Sequence, residues 1–246
     1  MKLLRKIFPK YAVIPLWTVL GFNIFAYYLP KLLLLLGIIG PTHMLAGDTV
    51  ANVNSVFLGV EVPLVPVFII IYVLSYVQWF VGFTLIARES EELCYRFMTG
   101  EIIAKFITLL VFIFYPTEMT RPEITQTGFF YTLVGWMYWI DTPMINLFPS
   151  IHCLESWICL RGSFHIKGIR KWYAPLSVVF TLLVFASTVL IHQHVLVDIP
   201  AGILVAEIGL LICRWTRADR VFAAINKKRL NSDTRKEMSL EQQSDA

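Results

Sequence analysis

The chain has 246 residues, 57% of them hydrophobic and 15% charged, with a mean hydropathy of +0.67. Soluble domains usually carry about 25% charged residues, so these values exclude a soluble globular domain and imply a polytopic membrane protein of one domain. The net charge of +4 does not signal nucleic acid, because the basic residues sit where membrane topology places them, and nucleic-acid binding is rejected.

A membrane helix needs roughly 20 apolar residues. The first such run is 11–29, "YAVIPLWTVLGFNIFAYYL", after the basic "MKLLRKIFPK". It is long and lacks a small-residue cleavage site, so it reads as a retained helix and not as a signal peptide. After Pro30, "KLLLLLGIIG" reads as an interfacial part of a loop reaching residue 63. The second span is 64–87 and the third 101–116. A polar segment with "TEMTRPEITQTG" follows, then the aromatic "FFYTLVGWMYWI", which reads as an interface belt. The fourth span starts at about His152 and ends near Leu160. It is short and holds Glu155, so it is expected to pack inside the bundle. The fifth is 174–191 and the sixth 195–213. The chain thus divides into 1–63, a membrane helix with an outer loop; 64–213, a core; and 214–246, a basic tail. Cys94, Cys153, Cys159 and Cys213 form no C-x-x-C pair and read as buried packing residues.

Six spans put both termini on one side. With that side in the cytoplasm, the basic N-terminus, Arg88, Arg96, the 161–171 connection and the tail all lie inside. Lys105 is expected to snorkel toward the same side. Only Lys31 and Arg121 fall outside. The compact chain points to a bacterial plasma membrane.

This topology gathers Arg121, Asp141, Asn146, Ser150, His152, His192, His194 and Asp198 at the outer face, from three distant segments. Near-membrane ionisable groups are costly, so such a gathering implies function. His194 and Asp198 are four apart, and on a helix they would share one face. A carboxylate there orients one imidazole and makes its far nitrogen a nucleophile. His152 offers a second imidazole for proton transfer. Arg121 supplies a planar fork for an anion. Ser150 either caps the fourth helix or helps hold an oxyanion. His192 is a candidate auxiliary. Asp141 and Asn146 read as loop-shaping residues beside proline. Glu155 and Glu207 read as packed, hydrogen-bonded residues.

"TRP" at 120–122, "FPSIH" at 148–152 and S-T-x5-H-x3-D at 187–198 together resemble the type 2 phosphatidic acid phosphatase (PAP2) superfamily. Within it the "FPSxH" form with a bare Ser-Thr block is similar to the inositolphosphotransferase branch, related to the inositol phosphorylceramide synthases. The resemblance implies an all-α bundle of six transmembrane helices. It implies a catalytic set of His194, Asp198 and His152, phosphate-binding Arg121 and Ser150, no metal and no cofactor. It also implies a membrane lipid phosphate or pyrophosphate as substrate, cleaved through a phosphohistidine at the outer face. Headgroup transfer between lipids is the first alternative, and a non-catalytic lipid-binding or transport relative the second. Three family positions depart: Phe114 stands for Lys, Thr188 for Arg and Ile151 for Gly. With two cations missing, a singly charged phosphodiester is expected to suit the site better than a doubly charged monoester.

Overall fold

The computed structural model describes residues 8–40, 43–44, 62–229 and 231–232. The basic residues of 1–7, most of the expected outer loop and the polar end of the tail lie outside these. Among the described residues, seven α-helices run in chain order: α1 (Val13–Leu35), α2 (Ile69–Glu89), α3 (Glu91–Phe114), α4 (Phe129–Ile140), α5 (Ile151–Ser163), α6 (Arg170–Leu190) and α7 (Asp198–Thr216). A further helical stretch covers 220–229. Among the described residues, the strands are one parallel pair of two-residue strands, β1 (His43–Met44) and β2 (Thr117–Glu118). The expected all-α membrane architecture holds. α1, α2, α3, α6 and α7 are long and apolar enough to cross a membrane. α5 has only 13 residues.

α5 is buried on almost every side, enclosed by α2, α6 and α7, with α3 also in contact. It is thus the interior helix its length and Glu155 imply. α3 packs most extensively against α7 and α1. The α3–α7 approach rests on small residues: a Cβ on Gly209 would lie 2.4 Å from the Gly100 carbonyl oxygen and 2.8 Å from the Ala104 amide nitrogen. Close backbone approach of this kind is how membrane helices gain packing without a hydrophobic drive. The four cysteines are free and buried.

Three sequence expectations need correction. α1 does not stop at Pro30 but runs through it to Leu35. A proline removes one backbone hydrogen bond, and the leucine run beyond it sustains the helix. α3 begins at Glu91, not near residue 101. Ser90 caps it by accepting from the Leu93 amide at 3.1 Å, and Glu91 and Glu92 occupy the first turn, where the helix dipole favours anions. Lys105 does not snorkel to the membrane face as expected. Its side chain is fully buried and bonds Asn23 and Glu155, with Glu101 at 3.5 Å.

α1 and α2 both line one cleft yet scarcely touch each other. The cleft has a volume of about 990 Å³. Its walls run from Phe8, Val13 and Arg229 at one end to Asp141 and Asn146 at the other. Between lie mainly apolar and aromatic side chains of α1 and α2, among them Leu20, Ile24, Phe80 and Phe83.

Candidate active site

His152 and His194 line the cleft near its Asp141 end, with ring centroids 6.3 Å apart. His152 sits in the first turn of α5. Ser150 caps that turn, its Oγ accepting from the Cys153 amide at 3.3 Å. α7 crosses close by at Gly202, where a Cβ would lie 2.7 Å from the Ser150 carbonyl oxygen. Glycine is what lets α7 approach this turn.

The His152 ring is held on three sides by α2. Tyr72 stacks on it at 4.0 Å, Trp79 lies at 4.9 Å and Tyr76 at 5.4 Å between centroids. Ser75 Oγ donates to the Tyr72 carbonyl at 2.6 Å, so it is free to accept from His152 Nδ1 at 3.1 Å. That contact puts the proton on Nδ1 in the neutral ring and leaves Nε2 for chemistry. The spacing 72, 75, 76, 79 marks a single face of α2.

His194 Nδ1 contacts Asp198 Oδ2 at 2.9 Å, and the same oxygen accepts from the Val195 amide at 3.1 Å. The pair forms as expected, but not on one helix. His194 lies in the turn that joins α6 to α7, and Asp198 is the first residue of α7. The turn is built on the Thr188 carbonyl, which accepts from both the Gln193 and His194 amides at 3.0 Å. The helix N-terminus adds positive potential around Asp198. With Nδ1–H given to the carboxylate, His194 Nε2 is its free nitrogen.

Arg121 does not line this cleft. Its Nη2 donates to Asp141 Oδ2 at 2.6 Å and to Gln193 Oε1 at 2.5 Å, and its guanidinium lies 4.7 Å from the Tyr138 ring centre. It borders a separate pocket of about 390 Å³ with Pro122, Glu123 and Tyr138. Asp141 is therefore more than a loop former. It also pairs with Lys31 at 3.1 Å and accepts from Tyr27 Oη at 2.6 Å. Burial pushes the Asp141 carboxyl up, but Arg121 and Lys31 outweigh it and hold the group below its ordinary range. Asn146 donates to the Tyr27 carbonyl at 2.8 Å.

Ser150 is fully buried and is not among the residues that line the cleft. His192 also points elsewhere. It adopts a left-handed backbone, φ 53°, and its Nε2 meets the Val62 carbonyl at 3.1 Å, clipping the segment ahead of α2. Burial lowers the His192 pKa, with the Val62 bond opposing it. Of the departures, Phe114 is 78% exposed at the end of α3. A cation there would face away from the cleft. Thr188 is buried and donates to the Phe185 carbonyl at 2.8 Å. Ile151 lines the cleft. Sequence inspection misses Ser75, Tyr72, Lys31 and Gln193. A lone serine within an apolar span, as in "YVLSYVQW", is the one visible signal among them.

Two imidazoles facing one cleft, one backed by a carboxylate at a helix start, can carry a nucleophile and a proton donor together. A profile of the PAP2 superfamily matches residues 38–212. The chain belongs to the PAP2 superfamily. No curated protein and no solved structure matches it. PAP2 membership supports phosphatase-type chemistry on lipid phosphates at the level of reaction class, and membrane-spanning helices with an apolar cleft fit a substrate that resides in the bilayer.

Proposed function

We propose that the protein cleaves or transfers the phosphoryl-bearing group of a membrane lipid through a phosphohistidine on His194. The observation that carries this reading is the pair of imidazoles, 6.3 Å apart between centroids, at the head of an apolar cleft between α1 and α2. The lipid enters sideways, its chains lie in the cleft, and its phosphate lies between the rings.

Nε2 of His194 attacks phosphorus, and the bond from phosphorus to the leaving oxygen breaks. His152, doubly protonated for this step, gives its Nε2 proton to that oxygen. In the second half, neutral His152 takes a proton from the acceptor hydroxyl, which attacks phosphorus and releases His194. Asp198 stabilises the positive charge that His194 acquires as it is phosphorylated. The basic-residue distribution supports a site at the outer face of the membrane.

Water as acceptor gives a phosphatase. A lipid alcohol as acceptor gives a headgroup transferase, the alternative favoured by the sparse cation complement of the site: Thr188 is neutral, position 114 points away, and Arg121 is already paired.

Purified protein with phosphorus-labelled lipid monoesters and diesters tests the proposal. A trapped, acid-labile phosphoenzyme is expected in wild type and absent in His194→Ala, with turnover reduced at least about 10³-fold. Release of inorganic phosphate selects the phosphatase, and label on an acceptor lipid selects the transferase. No turnover and no phosphoenzyme with any lipid would refute the enzyme reading.

A further inference from the structure

Gln193 stands between His192 and His194 and is 2% exposed. Its side chain lines the cleft beside His194. Its Oε1 accepts from Arg121 Nη2 at 2.5 Å, and Arg121 is itself braced by Asp141. A guanidinium has only donors, so this contact fixes which end of the amide is oxygen. The Nε2 end is therefore the free one, and it is buried without a hydrogen-bond partner among the described residues. A buried donor left unpaired is costly, and in this position a ligand is what would pair it.

We infer that Gln193 is a phosphoryl-binding, specificity-determining residue whose amide N–H₂ donates to a non-bridging oxygen of the lipid phosphate on His194. The inference rests on the proposed binding of the lipid phosphate beside His194. Arg121 then acts on the substrate at one remove, by polarising and orienting the amide. The donor at this position is neutral, while the nearby cations Arg121 and Lys31 are both tied to Asp141. A neutral donor gains less from a second negative charge than a cation does. The site therefore takes a monoanionic phosphodiester in preference to a dianionic monoester.

The test measures binding apart from turnover. His194→Ala protein in detergent is titrated by calorimetry with a short-chain dialkyl phosphate and the matching monoalkyl phosphate. The diester is expected to bind more tightly. Adding Gln193→Leu weakens diester binding roughly tenfold or more. Adding Gln193→Lys, which can donate but cannot accept from Arg121, keeps anion binding and reverses the preference toward the monoester. If Gln193 only held Arg121 in place, Leu and Lys would weaken binding alike, and that result overturns the inference. So does monoester preference in the parent, unchanged binding in the Leu variant, or no binding of either ligand. Absence of a phosphoenzyme in wild type alongside the expected binding pattern would refute phosphohistidine chemistry and leave the phosphoryl contact standing. Melting temperatures of the variants verify that each is folded.

Discussion

Asp141 holds Arg121 and Lys31 on its two oxygens and also accepts from Tyr27. Replacing it with Asn leaves two cations close together and poorly paired near the mouth of the cleft. Asp141→Asn is expected to cost about 1–3 kcal/mol at neutral pH, read as a lower melting temperature in detergent. The sign of its pH dependence follows from the depressed carboxyl. A carboxylate with a lowered folded-state pKa stabilises fully above its unfolded value of about 3.9, and that stability is lost as pH falls through the folded value. The gap between wild type and Asp141→Asn should therefore persist through pH 5–8 and close only in strong acid. A gap that closed near pH 6 would assign the effect to another group. At this scale the sequence is legible where chemistry is local. His194 and Asp198 are four residues apart, and Ser150 and His152 flank one helix start. It is not legible for Gln193, Ser75 or Lys31. Their roles depend on partners 72, 77 and 110 residues away along the chain, and a single polar side chain in an apolar run does not name its partner.

The helices show the same division. Hydropathy finds α2, α6 and α7 nearly where they lie, because a span is a local property of composition. It misses the ends of α1 and α3. At α1 the leucines past Pro30 outweigh the break a proline usually marks. At α3 the first two turns carry charge that reads as a loop, while a serine cap and first-turn carboxylates that suit the helix dipole keep them helical. His194 and Asp198 are brought together by a turn and not by a shared helix face, so a helical four-residue rule finds the pair through the wrong geometry. Helix packing seats α7 against the first turn of α5 through Gly202 and against α3 through Gly209. Gly209→Leu drives a side chain into the α3 backbone at Gly100 and Ala104. It should lower the melting temperature markedly, by about 2–4 kcal/mol of stability, with both substrate binding and turnover lost on unfolding. Phe114→Leu, on the exposed end of α3, should change neither, and serves as the control for substitution in the same helix pair.

Across the molecule, the cleft joins a polar end, where the imidazoles sit, to a long apolar trough between two helices that hardly meet. Such a shape suits a ligand with a headgroup at one end and chains along the other. On the proposed reading it also separates chemistry from recognition: His194 and His152 would act on phosphorus, and the α1–α2 walls would read chain length. Leu20 and Phe80 line this trough, and both are exposed in the protein, at 48% and 59%. Filling the trough at Leu20 should leave the reacting groups untouched while shortening the space for chains. Leu20→Trp is expected to raise KM for long-chain lipid phosphates by roughly tenfold, with kcat little changed, and to leave short-chain analogues unaffected. Kinetics on a series of substrates of increasing chain length in detergent micelles checks this. An equal loss for short and long chains would mean that α1 supports the site only structurally. An unchanged profile would mean that the chains lie elsewhere on the bundle, and that the lipid reaches the two histidines by a path other than the gap between α1 and α2.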